Sequence, residues 1–145
     1  SFVRSEREKN NNETYETSVS GVRKIFKSLL SKNVICLAAD QVPQAGMGEY
    51  VKFFNRDAYT TTLASSLAYK TGKPVIYCSM NSDNNKNLFV SIKPCHDDIY
   101  NDSKRLHSMN NSIENLININ PKDYSWEYKR FKKAQPKNIN PYLKA

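Results

Sequence analysis

A short apolar run that ends on a carboxylate constrains this chain more than any other feature of its sequence. Residues 34–39 (VICLAA) carry small and apolar side chains, and Asp40 and Gln41 follow directly, ahead of a loop that contains Gly46 and Gly48. A short apolar run bounded by turn residues is typical of a buried strand. Because ligands of open α/β sheets bind beyond the carboxyl ends of strands, Asp40 is predicted to face a ligand site.

Asp40 also has an ordinary structural explanation. An Asp side chain after a strand often accepts backbone N–H bonds and shapes the turn. A carboxylate beside a glycine-containing loop can instead orient a substrate hydroxyl, an amine or a catalytic base, because glycine lets the backbone approach a ligand closely. Spacing alone does not separate these two roles.

Predicted helices and strands alternate along the rest of the chain. Ser20 is the predicted N-cap of the first helix, Gly72 ends the second, and Asn120 with Pro121 begins the last. This alternation predicts an α/β fold, a mixed sheet flanked by helices. Apolar periodicity and turn residues place the elements in this order: helix 20–32, strand 34–39, strand 50–54, helix 60–72, strands 73–80 and 87–93, a helix around 106–117 and a helix over 122–133.

The length of 145 residues corresponds to one domain, and its charge is unevenly distributed. Five of the eight net positive charges lie from Pro121 onward, where seven Lys or Arg residues stand against two acidic ones. A basic tail of this kind attracts the phosphates of nucleic acid or anionic lipid, or an acidic protein. It is equally compatible with a solvated basic surface in a chain rich in Lys and Asn.

Residue patterns for other chemistries are weak. Three cysteines, at positions 36, 78 and 95, are too few and too scattered for a disulfide framework, and no C-x-x-C pair occurs. His96 lies in a Cys-His-Asp-Asp segment, but no second ligand cluster has the spacing of a metal site, so this segment is predicted to be a surface loop. No serine lies in a G-x-S-x-G pattern, and no phosphate-binding glycine loop occurs. The sequence predicts no metal and no cofactor.

Two longer segments resemble one known family. Residues 23–76 and 120–133 contain, in order, Asp-Gln, a glycine loop, a Val-x-Phe-Phe strand, a helix that ends in Thr-Gly, and a Pro-x-x-x-x-Trp-x-x-x-Arg-Phe-Lys signature. Together they resemble the carboxy-terminal half of the bacterial lipid A biosynthesis acyltransferases, the late lauroyl and myristoyl transferases. The order and spacing of the motifs are more specific than any motif alone.

The resemblance implies a partial α/β domain of the glycerolipid acyltransferase type, in a membrane-associated enzyme. Members of the family move a fatty acyl chain from acyl carrier protein to a hydroxyl of a lipid A precursor, at the cytoplasmic face of the bacterial inner membrane. The expected partners are therefore acyl carrier protein, the lipid A precursor and the inner-membrane surface, with no nucleic acid.

The family's catalytic motif, H-x-x-x-x-D/E, does not occur in these residues. In that motif the histidine deprotonates the acceptor hydroxyl and the carboxylate orients the histidine, as general-base acyl transfer requires. Here Asn101 stands five positions after His96, and Ser112 five after His107, and both histidines follow the Asp-Gln pair. We therefore expect residues 1–145 to be the carboxy-terminal part of a single acyltransferase domain, without its catalytic half and membrane anchor, and inactive alone. An inactive paralogue is the alternative.

Functional residues are carried over only to matching positions. By resemblance, Asp40 corresponds to the active-site aspartate, and Gln41 accompanies it. A functional arginine upstream corresponds to Arg7 or Arg4, of which Arg7 is preferred, and a guanidinium there could hold an acceptor phosphate with two hydrogen bonds. Arg130, in the terminal signature, is expected to contact an anionic group of the substrate.

A nucleic-acid-binding module is the alternative from another functional class. The segment WEYKRFKK (126–133) interleaves aromatic and cationic residues, as stacking on bases and contacts to phosphates require. It is one short predicted helix, however, and no RNP or zinc-finger spacing accompanies it. In the resemblance this helix packs on the domain and makes an anionic contact, with Tyr128 where many members have His.

Overall fold

A computed structural model describes residues 2–133, 135 and 140–142. The described residues form two compact units, one up to Leu37 and the other from Ala38 onward. Helices and strands are both present, which confirms the predicted α/β class. Within the described part of the chain the strands pair as two separate antiparallel hairpins, where a single mixed sheet was expected.

Helix α2 of the first unit confirms the first predicted helix. The first unit contains α1 (Phe2–Arg7), a 3-10 turn (Lys9–Asn11) and α2 (Val19–Leu30). Ser18 caps α2 in place of the predicted Ser20, and its Oγ accepts a hydrogen bond from the Gly21 N–H at 3.2 Å. Because α2 begins at Val19, Gly21 is its third residue, the position that a capping side chain commonly bonds.

The strand predicted at residues 34–39 is wrong. Neither of the two hairpins includes this run. The Val34 side chain is 94% exposed, and Cys36 is exposed as well. An apolar run becomes a strand only where a neighbouring strand satisfies its N–H and C=O groups, and composition does not reveal that neighbour. Asp40 consequently lies in a turn and not at the carboxyl end of a strand.

The second unit contains two hairpins and two helices among its described residues. Its elements are β1 (Gly48–Phe53), β2 (Arg56–Thr61), α3 (Leu63–Thr71), β3 (Ile76–Ser82), β4 (Leu88–Pro94) and α4 (Arg105–Ile117), with 3-10 turns at Asp97–Tyr100 and Pro121–Asp123. Strands β1, β3 and β4 and helices α3 and α4 confirm the corresponding predictions. Gly72 ends α3 in the left-handed conformation, with φ of 61°, as expected for a glycine at a helix end.

Strand β2 has no counterpart among the predicted elements, and its last residues fall in the predicted helix 60–72. It pairs with β1 through a tight turn in which Phe54 and Asn55 have φ of 46° and 59°. Two-residue hairpin turns with positive φ usually contain glycine, but neither Phe54 nor Asn55 is glycine. Glu114 on α4 accepts a hydrogen bond from the Phe54 N–H at 2.9 Å, so a distant carboxylate anchors the turn.

The core of the second unit lies where α4 packs on the β1–β2 hairpin. Asn110 on α4 is fully buried, and its Nδ2 donates to the Lys52 carbonyl at 2.8 Å and to Thr60 Oγ1 at 3.3 Å. These two bonds tie α4 to both strands. The apolar side chains of this core are Phe53, Ala58, Ala68, Ile99, Leu106, Met109, Ile113 and Ile117.

One face of the β3–β4 hairpin is apolar and exposed. In paired strands alternate residues point to the same side, so the register brings five apolar side chains together on this face. Each of them is more than half exposed: Ile76, Met80, Leu88, Val90 and Ile92. On the opposite face, buried Asn81 donates to Ser91 Oγ at 3.0 Å. We call the first side the hairpin face; a contiguous apolar surface of this kind is typical of an interaction site.

The helix predicted over 122–133 is wrong. The chain forms a 3-10 turn at Pro121–Asp123 and continues in turns. Asn120 and Pro121 stand at the N-cap and first positions of this 3-10 turn, as predicted, but the Asn120 side chain makes no capping bond, and its Nδ2 donates to the Ser82 carbonyl at 2.7 Å. Side-chain bonds of this kind compete with helical backbone bonds, so contacts with the rest of the unit override the local helical pattern.

Candidate active site

Asp40 is the first residue of an irregular loop, residues 40–47, which leads into β1 and which we call the Asp40 loop. Asp40 is half-buried, and Gln41 beside it is exposed. The loop has no regular backbone pairing before β1 begins, so its course depends on bonds to side chains from elsewhere.

Two side chains near the end of the described chain hold the first half of the Asp40 loop. The Tyr128 hydroxyl accepts a hydrogen bond from the Val42 N–H at 2.7 Å. Lys133 Nζ donates to the Pro43 carbonyl at 2.7 Å. These bonds join residues 86 and 90 positions apart in the sequence. Residues 128–133 are therefore part of the loop's support.

Tyr59 on β2 holds the second half of the loop. Its hydroxyl accepts hydrogen bonds from the N–H groups of Gly46 at 3.0 Å and Gly48 at 3.1 Å. Gly46 has φ of 81°, a conformation that favours glycine. A Cβ on Gly48 would lie 2.5 Å from the Thr60 carbonyl oxygen, so this close approach to β2 also requires glycine.

Arg130 is buried behind the loop. Only 2% of the residue is exposed, and its Nη1 and Nη2 donate to the Tyr59 carbonyl at 2.8 Å and to Thr60 Oγ1 at 2.7 Å. Its guanidinium carbon lies 5.1 Å from the centre of the Phe53 ring. Nε is buried without a hydrogen-bond partner among the described residues. Burial lowers the pKa of Arg130, and the negative charge of Asp40 opposes that change.

The Tyr124 hydroxyl lies within electrostatic range of both Asp40 and Arg130. Burial and, after it, the charge of Asp40 raise the pKa of Tyr124 to about 12, and the charge of Arg130 acts in the opposite direction. The effect of Asp40 is mainly electrostatic, since the buried Tyr124 hydroxyl has no partner of full hydrogen-bond geometry within the described residues. The structure thus brings together two residues that the sequence predicted for the site, Asp40 and Arg130.

The two candidate arginines of the first unit differ in their contacts. Arg4 Nε bonds Glu8 Oε1 at 2.9 Å, an ion pair within one turn of the chain. Arg7 is exposed at the end of α1, and no ion pair or hydrogen bond of its side chain occurs between residues that the structure describes. Of the two, Arg4 is therefore paired with a carboxylate, and Arg7 has no such partner among the described residues.

Neither histidine takes part in the contacts of the Asp40 loop. His96 lies at the surface at the start of a 3-10 turn, where its Nδ1 accepts a hydrogen bond from the Asp98 N–H at 3.1 Å. His107 is exposed on α4. No group of three or more potential metal ligands comes together in the described part of the chain.

Tyr59, Tyr128 and Lys133 support the candidate site but are missing from the residues predicted for it. Their partners lie 11 to 90 positions away in the sequence, beyond the reach of any spacing rule. The signal that could have found them is the terminal aromatic and basic signature. This signature contains large aromatic residues among its charged ones, which a solvated face does not need. It therefore indicates contacts with the rest of the domain.

Comparison with known families decides the assignment. The family model described as bacterial lipid A biosynthesis acyltransferase matches residues 2–133, a span that includes the Asp40 loop and the terminal signature. The chain belongs to this family. No individual curated protein matches it significantly. At the level of the family, this acyltransferase acts in lipid A biosynthesis.

The acyltransferase has at the Asp40 loop a charged group suited to orienting a reactant. Acyl transfer to a hydroxyl needs a group that accepts the hydroxyl proton and groups that hold the reactants in line. A carboxylate accepts hydrogen bonds from a hydroxyl or from a protonated base, and here one lies within electrostatic range of a buried guanidinium. No helix in the described ranges is both long and apolar enough to cross a membrane.

Proposed function

We propose that this acyltransferase moves a fatty acyl chain from acyl carrier protein to a hydroxyl of a lipid A precursor. The family match over residues 2–133 carries the proposal. The Asp40 loop supports it, because the loop presents a half-buried carboxylate and an exposed amide on a segment anchored by distant side chains. In this proposal residues 1–145 are the carboxy-terminal part of one acyltransferase domain.

Each candidate residue has a distinct role in this reaction. Asp40 orients the acceptor hydroxyl or the group that deprotonates it, and Gln41 bonds the acceptor through its exposed amide. Arg7 contacts an acceptor phosphate, on the strength of the resemblance and of its unengaged side chain. Arg130, which is buried and bonded to protein through both Nη atoms, influences the acceptor through its charge and not by direct contact.

The test of the proposed function is an acyl-transfer assay. The full-length gene product is incubated with labelled acyl chain on acyl carrier protein and with a lipid A precursor, and heat-denatured protein serves as the blank. We expect label in the lipid only with the native protein. A folded protein that leaves all label on acyl carrier protein would show the proposal to be wrong.

Nucleic-acid binding is disfavoured by the contacts of residues 126–133. Arg130 is buried, Lys133 is bonded to the Pro43 carbonyl, and Lys132 Nζ lies 4.8 Å from the centre of the Tyr128 ring. Cations and rings that would contact phosphates and bases are thus used within the protein. Lys137 and Lys144 of the basic tail lie outside the described residues. Retention on single-stranded DNA, compared with retention on lipid A precursor vesicles at several salt concentrations, separates the two functions.

The proposed place of action is the cytoplasmic face of the inner membrane. Two properties of the chain support it: the exposed apolar hairpin face and a net charge of +8. An exposed apolar surface on a basic protein fits a bilayer that contains anionic lipid, because acyl chains and headgroups attract the two features separately.

Acidic substitutions on the hairpin face should weaken vesicle binding. We expect Met80→Asp with Val90→Asp to reduce binding of residues 1–145 to anionic vesicles about tenfold or more, since apolar contact is lost and repulsion added. Asn84→Asp with Asn111→Asp adds the same charge at exposed polar positions and is the matched control. Co-sedimentation measures both. Equal losses in the two double variants would mean that charge alone, and not the hairpin face, mediates binding.

Residues 1–145 by themselves should show no acyl transfer. A general base must lie within about 2.6–3.2 Å of the hydroxyl it deprotonates, and histidine is the usual base near neutral pH. His96 and His107 are exposed and lack an acidic residue five positions later. The purified chain is assayed beside His96→Ala and His107→Ala variants. Turnover that disappears in either variant would contradict the proposal that neither histidine is the base.

A further inference from the structure

The backbone just beyond Asp40 is bonded by a side chain near the other end of the described chain. The Tyr128 hydroxyl bonds the Val42 N–H at 2.7 Å, only two residues beyond Asp40. No other hydrogen bond to Val42 N–H or Gln41 N–H occurs in the part of the chain that the structure describes. This bond therefore satisfies the Val42 N–H and holds the backbone two residues from Asp40.

Tyr128 is itself held in place. Its N–H donates to the Ser125 carbonyl at 3.0 Å, and its carbonyl accepts from the Arg130 N–H at 2.6 Å. The Lys132 ammonium lies 4.8 Å from the centre of its ring, within range of a cation–π contact. The half-buried ring thus presents its hydroxyl from a fixed point.

The same segment also places positive charge behind the loop. Arg130 follows Tyr128 by two residues, and its guanidinium is anchored on β2 through the Tyr59 carbonyl at 2.8 Å. The Tyr59 side chain in turn bonds the far half of the loop, as described above. One short segment therefore bonds the backbone beside Asp40 and carries the buried cation within electrostatic range of it.

We propose that Tyr128 is a positioning residue of the acyltransferase, whose hydroxyl holds the Asp40 loop so that the Asp40 carboxylate is correctly placed for the reaction. The inference rests on the role proposed for Asp40. It gives the terminal signature a function other than substrate contact: Tyr128 acts through the loop and touches neither acyl donor nor acceptor.

The test compares two Tyr→Phe variants of the full-length gene product. Tyr128→Phe removes only the hydroxyl that bonds Val42. Tyr100→Phe is the matched control, because the half-buried Tyr100 hydroxyl makes one hydrogen bond, to the Lys73 carbonyl at 3.0 Å, outside the Asp40 loop. Misplacement of a reacting group lowers turnover more than binding, so we expect Tyr128→Phe to reduce kcat about tenfold with KM little changed. Tyr100→Phe should leave both parameters near the parent values.

A double-mutant cycle with Asp40→Asn distinguishes positioning from a general loss of structure. If Tyr128 acts through Asp40, Tyr128→Phe has little further effect on kcat in the Asp40→Asn background. Multiplicative losses would overturn the inference, as would a kcat for Tyr128→Phe equal to that of Tyr100→Phe.

Amide hydrogen exchange reports on the loop without reference to activity. Exchange in the peptide that contains Val42 should be faster in Tyr128→Phe than in Tyr100→Phe, since the Val42 N–H loses its acceptor. Unchanged exchange would overturn the inference even if the proposed function stands. A normal kcat in the Asp40→Asn variant alone would instead show that the role proposed for Asp40 is wrong. Failure of the Tyr128 inference and failure of the Asp40 role therefore give different results.

Discussion

Asp40→Asn should lower acyl transfer by the full-length gene product about 100-fold or more while leaving the protein folded. The carboxylate lies half-buried in the Asp40 loop, within electrostatic range of the buried Arg130 guanidinium. Asn keeps the size and the turn-forming bonds of Asp but loses its charge and half of its acceptor capacity. A large loss of kcat with an unchanged unfolding midpoint is therefore the signature of a chemical role.

The control for this variant is Asp102→Asn, which removes a carboxylate paired with Arg105 Nε at 3.1 Å on the exposed surface. Surface pairs of this kind contribute little, so its turnover should be close to that of the parent. If Asp40→Asn also retains near-normal turnover, Asp40 only shapes the turn, and the role proposed for it is wrong.

Arg130→Ala should lower the free energy of unfolding of residues 1–145 by about 3 kcal/mol. The substitution removes two hydrogen bonds, to the Tyr59 carbonyl and to Thr60 Oγ1, and leaves a cavity against the Phe53 ring. The Tyr59 carbonyl then loses this buried donor and Thr60 Oγ1 keeps only the longer bond from Asn110 Nδ2 at 3.3 Å, and a weakened buried acceptor costs more than the net value of the bonds.

Arg56→Ala is the matched control for the stability measurement. The exposed Arg56 guanidinium lies 5.8 Å from the centre of the Phe131 ring, and its loss should cost less than about 1 kcal/mol. Urea denaturation of both variants gives the comparison. Equal destabilisation would contradict the view that Arg130 is an internal anchor and would favour the substrate contact expected for it from the sequence.

The three amphipathic helices could be predicted because their signal is local. Helices α2, α3 and α4 follow from apolar residues three and four apart, and Gly72 ends α3 as its type requires. The predictions that are wrong concern segments whose structure depends on contacts with residues distant in the sequence. Residues 34–39 are apolar but unpaired in the described sheets, β2 follows a turn without glycine, and residues 122–133 give up helical bonds for contacts elsewhere.

In the candidate site, too, the residues with a local sequence signal could be predicted and those with distant partners could not. Asp40 could be found from the sequence, because a carboxylate after an apolar run and before a glycine loop is visible in a few consecutive residues. The bond of Tyr128 to Val42 joins residues 86 positions apart, and no local pattern specifies such a partner. The sequence predicts that Arg130 contacts an anionic group of the substrate, and only the fold shows that its side chain is buried.

The mass of lipid A in cells tests the central claim most directly. We delete the full-length gene from a strain and record the mass spectrum of its lipid A. We expect a lipid A that is lighter by one acyl chain, which is the underacylated precursor. Restoring the gene should restore the parent mass, and restoring it with Asp40→Asn should not. A lipid A mass unchanged by the deletion, with no other acyltransferase gene of this family present, would contradict the account.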